Sequence, residues 1–240
     1  MPTLSGYAYR VGRVTLPMPT VTVDDVGTFV ALGGTFSTHR SASSIHRDER
    51  PRWPPNLWTV PRSAIVPDGT PIELRPYADR VTIGPEPVAV IGHPLDRADV
   101  DEAAAGIAGF TVSNDLAALG EFPAFPYPDQ ETHSGRGFKI MPGFSPLLES
   151  YAAIDPDAFA GRAIEAEIDG KLVVEGSTDD LDWSPAEIIA HVSKIVPLEP
   201  NDVVSLGEPS TDHHYIDDAT SVTCRVEGFG ELTNPVGRVD

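Results

Sequence analysis

Apolar and polar residues alternate through much of the chain, and alternation with a period of two predicts strands. The clearest case is Ala163-Ile164-Glu165-Ala166-Glu167-Ile168, followed by Asp169-Gly170 and then Lys171-Leu172-Val173-Val174-Glu175-Gly176. Asp-Gly supplies the positive φ angles of a tight type I′ turn, so this stretch predicts a hairpin. Strands are also expected at 28–32, which runs into Gly33-Gly34, and at 81–83, 87–91, 109–115 and 221–226. Pro67-Asp68-Gly69-Thr70 reads as a turn. Only two stretches carry helical signals. Residues 99–107 place acids in a first turn, where the helix dipole favours them. Residues 184–193 open with Ser184 as cap, Pro185 at the first helical position and Glu187 completing a capping box. The first 30 residues or so read as short strands and turns, 40–56 as a loop or lid flanked by Trp53 and Trp58, and 120–137 as a Pro- and Gly-rich loop. Regular βαβ alternation and internal repeats are absent. The pattern therefore predicts an α+β fold that is mainly β, with a long mixed sheet system and few short helices, and not a Rossmann or TIM fold.

Charge changes this picture more than size does. The 240 residues carry 36 acidic side chains against 17 basic ones, a formal charge of -19, while 40% hydrophobic residues supply the material for a core. Such a surface disfavours nucleic acid, whose phosphates need clustered Lys and Arg. The apolar runs are too short to cross a bilayer, and no secretory leader is readable at the N-terminus. Only Lys139, Lys171 and Lys194 are lysines. Acid enrichment with lysine depletion points to a cytoplasmic protein of a salt-accumulating cell, because at 1 M salt the Debye length falls to roughly 3 Å and self-repulsion is screened. A melting series in KCl is expected to show the melting temperature rising from low to molar salt; a flat series removes this reading. The single cysteine, Cys224, excludes an internal disulfide and a cysteine-based zinc site, and its alternating surroundings predict a buried structural thiol.

The order of the pieces carries a further signal. Phe29-Val30-Ala31-Leu32-Gly33 leads to His39; Glu86 lies in a strand ending at Gly92; then come Gly109-Phe110-Thr111-Val112-Ser113-Asn114-Asp115, Phe138-Lys139, the 184–193 helix and Leu198-Glu199-Pro200-Asn201-Asp202-Val203-Val204-Ser205-Leu206-Gly207-Glu208-Pro209. Over residues 29 to 210 this resembles the fumarylacetoacetate hydrolase family. The resemblance implies a mixed β-roll, a homodimer, and a small N-terminal β-rich region with a lid-like loop (1–65) before the family core (66–240). It also implies a site dependent on magnesium, or on manganese or calcium. Family members hydrolyse, decarboxylate, hydrate or isomerise 2-oxo acids and 1,3-dicarbonyl compounds, so the expected partner is a small anionic metabolite. A divalent ion would chelate the carboxylate and keto oxygens and so steady an enolate.

Residue by residue, the resemblance implies Glu86 and Asp115 as metal ligands, His39 as the base and Lys139 as the group that steadies the substrate oxyanion. Several family positions have changed. The first residue of the family's Glu-x-Glu pair is Gly84, the partner of His39 is Ala42, and the substrate-binding Arg and Gln positions are Leu119 and Phe122. The family's Thr-Gly-Thr-Pro substrate loop reads Leu206-Gly207-Glu208-Pro209, making Glu208 and Phe122 the substrate-side candidates. Glu208 would repel a substrate carboxylate unless it binds the metal, and one expectation is that it replaces the carboxylate lost at Gly84. The same departures also suit a family fold that has given up catalysis for binding or assembly. His213-His214 with Asp212, Asp217 and Asp218 could bind zinc, but adjacent histidines rarely chelate one ion, and a solvated turn is the favoured reading.

Overall fold

The computed structural model describes residues 8–11, 14–38, 56–76, 80–118, 144–210 and 212–239. Its strands, in chain order, are β1 (Ala8–Val11), β2 (Val14–Pro17), β3 (Phe29–Gly33), β4 (Asn56–Val60), β5 (Ile65–Pro67), β6 (Ile72–Leu74), β7 (Val81–Thr82) and β8 (Pro85–Ile91). They continue with β9 (Ile107–Asn114), β10 (Ala117–Ala118), β11 (Ser145–Leu147), β12 (Ala163–Ile168), β13 (Lys171–Ser177), β14 (Val203–Ser205), β15 (Ser221–Val226) and β16 (Gly230–Arg238). Two α-helices lie wholly within the described residues, α1 (Val100–Gly106) and α2 (Pro185–Ser193). The molecule is mainly β with few short helices, as the alternation predicts.

Most strands join two sheets. A seven-stranded sheet runs β4-β3-β14-β8-β9-β11-β5 and a five-stranded sheet runs β13-β12-β15-β16-β6. Both are mixed. β3 pairs parallel with β14, and β5 parallel with β11, while β8 is antiparallel to both β14 and β9. Strands on both sides of position 65 share the larger sheet.

The two faces of the larger sheet can be read from β8. Ala89 and Ile91 belong to the main core, together with Phe110, Val112 and Val204 of the same sheet and Val222, Cys224, Val226 and Leu232 of the smaller sheet. Val88 and Val90 join a second cluster with Phe29, Ala31, Leu147 and Val203 on the other face. All seven residues of β8 are buried, which is why 87–91 is a continuous apolar run and not an alternation. By contrast, β15 keeps one face partly open and alternates strictly. On that open face Arg225 draws together Glu165 (3.1 Å), Glu167 (2.6 Å) and Glu231 (3.0 Å), so one guanidinium offsets three of the chain's many carboxylates. Hydrogen bonds from the Arg225 guanidinium to Glu167 and Glu165 raise its pKa further.

Local signals in the sequence are realised closely. Asp169 (φ 50°) and Gly170 (φ 76°) make the hairpin turn. Gly69 (φ 74°) makes the turn after β5, closed by the Thr70 amide on the Pro67 carbonyl at 3.2 Å. Both helices carry a full capping box, Asp99 with Glu102 and Ser184 with Glu187. The first helix ends one residue earlier than the sequence suggests. Ile107 is extended (φ -79°, ψ 121°) and begins β9, because its pairing with Ile91 outweighs one more helical residue.

Candidate functional site

Glu86 is the second residue of β8, on the same face as Val88 and Val90, and only 2% of it is exposed. Register sets Ser113 of β9 directly opposite it. Ser205, at the end of β14, donates its hydroxyl to Glu86 Oε2 in a short hydrogen bond. Three adjacent strands thus place Glu86, Ser113 and Ser205 on one face of the larger sheet.

Asp115 follows the last residue of β9 and is 9% exposed. Its amide donates to the Gly84 carbonyl at 2.8 Å, and the Gly84 amide donates to Asn114 Oδ1 at 3.1 Å. These two bonds tie the approach to β8 to the exit from β9. Position 84 therefore lies beside Asp115 and two residues from Glu86.

Glu208 comes to the same place from a different part of the chain. A β-carbon built at Gly84 would lie 2.5 Å from Glu208 Oε2 and 3.1 Å from its Cδ. The segment bearing Glu208 is tethered on both sides. The Leu206 amide donates to the Pro87 carbonyl (2.9 Å), Thr35 Oγ1 to the Leu206 carbonyl (2.5 Å) and Thr38 Oγ1 to the Pro209 carbonyl (2.6 Å). Gly207 takes a positive φ of 90°, which lets the chain turn against Thr35.

The sequence-level candidates divide accordingly. Register sets Glu86 and Asp115 near each other across β8 and the exit from β9, and the contact expected between Glu208 and position 84 is present. His39, Ala42, Trp53, Leu119, Phe122 and Lys139 lie outside the described residues, as do most of the 40–56 and all of the 120–137 loops. The residue before His39, Thr38, is the one bonded to Pro209. Asp217 pairs with Arg238 at 3.5 Å, and the His214 carbonyl accepts the Ile83 amide. Among the described residues no group of three or more His, Cys, Asp or Glu is set to hold a metal, so the His213-His214 stretch forms no zinc site there. Cys224 is buried and free of disulfide. Burial pushes its thiol pKa far up, and the charges of Glu208 and Glu86 push it further, so the group stays protonated and is no nucleophile. Sequence reading did not single out Ser113, Asn114 or Ser205; polar residues inside otherwise apolar strands were the available signal.

A divalent cation suits this place in kind. All the candidate donors are oxygens, from carboxylates and serine hydroxyls, which matches a hard ion such as magnesium, manganese or calcium. Glu86 and Asp115 are both buried, and a buried carboxylate is stable only when hydrogen-bonded or met by positive charge.

Comparison with known proteins adds the following. The family model for fumarylacetoacetate (FAA) hydrolase, C-terminal, matches residues 28–237. Protein Rv2993c of Mycobacterium tuberculosis is 26% identical over 99% of this chain and 84% of its own length. The homoprotocatechuate catabolism bifunctional isomerase/decarboxylase of Escherichia coli is 28% identical over 88% of this chain, which spans only 46% of that protein. Among solved structures, 5-carboxymethyl-2-hydroxymuconate delta-isomerase from Mycobacterium smegmatis superposes with a TM-score of 0.74 at 25% identity, covering 96% of this chain and 87% of the other.

Proposed function

Because the chain belongs to the fumarylacetoacetate hydrolase family, a family of enzymes acting on oxo acids, we propose that it is a divalent-metal-dependent hydrolase, lyase or isomerase of a small 2-oxo acid or acylpyruvate-type compound. The observation that carries this reading is the convergence of Glu86 and Asp115, both buried, at the point where β8 and β9 are tied together.

Glu86 and Asp115 would hold the cation. When bound, that cation supplies Lewis-acid polarisation of a carbonyl. The remaining roles belong to the chain. Ser205 takes one lone pair of Glu86 Oε2 and so fixes the carboxylate's rotation. Asn114 fixes the backbone at Gly84, which keeps Asp115 in register with the start of β8. His39 is assigned the proton transfer, as the imidazole titrates near neutral pH. Lys139 is assigned the developing oxyanion as a point charge. A substrate of this class brings its own carboxylate, so a cation and Lys139 together would offset the local negative charge.

Calorimetric and thermal-shift titration with magnesium, manganese and calcium, followed by assay of acylpyruvates and oxaloacetate, tests the proposal. At least one ion is expected to bind and raise the melting temperature, and at least one substrate to turn over only in its presence. If none of the three ions binds, the proposal loses its centre. Binding without turnover of any of these compounds would move the reading to a changed substrate or to a non-catalytic family fold.

A further inference from the structure

Two buried hydroxyls on Glu86's face of the larger sheet have nothing to bond. Ser113 of β9 is 1% exposed and Ser145 of β11 is 2% exposed, and neither hydroxyl has a hydrogen-bond partner among the described residues. Elsewhere on that face the fold satisfies its hydroxyls. Thr111 Oγ1, two residues before Ser113, donates towards the Leu148 carbonyl (2.7 Å) and the Ser150 carbonyl (2.8 Å), and Ser205 donates to Glu86. The neighbours of the idle pair are apolar, with Leu147 opposite Ser113 and Ile65 opposite Ser145. An unmet hydroxyl in such a setting is costly, and alanine would fill either place without that cost.

Register brings the two serines together. Ser113 pairs with Leu147, and Ser145 lies two residues before Leu147, so its side chain emerges on the same face. Phe110 and Val112 of β9, and Phe144 and Leu148 on either side of β11, face the main core and leave the other face to the serines. Diagonal positions of this kind lie roughly 7–8 Å apart at Cα, close enough for one oxygen to accept from both hydroxyls. Each serine also has an acid as its strand neighbour. Glu86 stands opposite Ser113, and the Leu116 amide on the Phe144 carbonyl (3.1 Å) sets Ser145 alongside Asp115. A further anion beside these acids would be repelled. A neutral oxygen would not be; it accepts from serine and, if it is a hydroxyl, it can also donate to a carboxylate.

We propose that Ser113 and Ser145 form a subsite for a neutral hydroxyl of the ligand, that of a 2-hydroxy acid or of an oxo acid in its enol form. This rests on the reading that a small oxo acid binds beside Glu86 and Asp115, and it narrows the ligand class. The preferred ligand turns a hydroxyl, and not a carboxylate, towards these two serines. Both hydroxyls are shut off from bulk solvent, where a hydrogen bond is stronger than in water. Ser113 and Ser145 are binding residues here, and neither is assigned a proton transfer.

Calorimetric binding of L-malate, D-malate and succinate in the presence of magnesium tests this, since malate is succinate with one hydroxyl added. Wild type is expected to prefer one malate enantiomer over succinate by about fivefold, the worth of one hydrogen bond. Ser113→Ala and Ser145→Ala are each expected to shrink that preference, and the double variant to bring it below about twofold. Succinate and magnesium affinities should stay at the wild-type level. Ser113→Cys, which keeps the volume but donates weakly, should behave as Ser113→Ala. The unliganded alanine variants should melt at or above the wild-type temperature, because no hydrogen bond within the protein is lost; a clear fall would make the hydroxyls structural and overturn the proposal. If wild type shows no preference for malate, or if the preference survives the double variant, the serines bind an enclosed water only and this inference alone falls. If malate, succinate, pyruvate and oxaloacetate all fail to bind with magnesium, manganese or calcium, the proposed function falls with it.

Discussion

Replacing Glu86 by Gln is expected to weaken divalent-ion affinity by at least about a hundredfold while leaving the fold intact. Even the loss of a residue that only supports a metal ligand costs 10- to 100-fold in known metal sites, and Glu86 is assigned a direct bond to the ion. The substitution keeps size and shape. The glutamine carbonyl still accepts the Ser205 hydroxyl, and its amide can donate to the Ser113 hydroxyl across the strand pair. Without metal, the variant should melt at or above the wild-type temperature, because a buried charge has been replaced by a neutral group. With metal, the order should reverse, since only wild type gains the stabilisation of a tightly bound ligand. Calorimetry and paired melts with and without magnesium check both halves. Unchanged affinity would remove Glu86 from the ion, and a lower metal-free melting temperature would make its charge a structural requirement.

Phe110→Ala is expected to cost about 3–5 kcal/mol of folding stability, the range for truncating a fully buried aromatic. That is a large share of the roughly 5–15 kcal/mol that holds a typical domain. Phe110 is fully buried, with its ring centroid 5.0 Å from Phe159 and 5.3 Å from Phe229, so it joins β9 to the region around β16 and the 156–159 turn. Its side chain points away from Glu86, since the two belong to opposite faces of the larger sheet. Metal affinity of the folded fraction should therefore be retained, which separates a core defect from a site defect. Urea unfolding at constant slope gives the number. A loss below about 1 kcal/mol would mean that Phe159 and Phe229 close the gap unaided.

Legibility followed the range of the interactions involved. The 163–177 hairpin was readable because Asp-Gly and the alternation on either side act within a few residues. Both helices were readable for the same reason: the acids in the first turn of one, and Ser184 with Glu187 in the other, act within a single turn. The extra strand residue at Ile107 was not, because its pairing with Ile91 spans a helix. At the site, Glu86 and Asp115 could be picked out by family resemblance and by the period of a strand. Ser205 and Ser113 could not, because what matters about them is register with strands far away in the chain.

The case of Gly84 and Glu208 divides the two kinds of information most clearly. By itself the sequence determined that the protein is mainly β, where its turns and caps lie, that it is strongly acidic, and that a carboxylate is missing at 84 while another has appeared at 208. Only the tertiary structure decided that these two changes meet, with one residue's carboxylate in the other's empty space. Local preferences are set by neighbouring side chains and are written into short stretches of sequence. The meeting of residues 124 positions apart (208 less 84) depends on how two sheets and a tethered loop pack together, and that is a property of the whole fold.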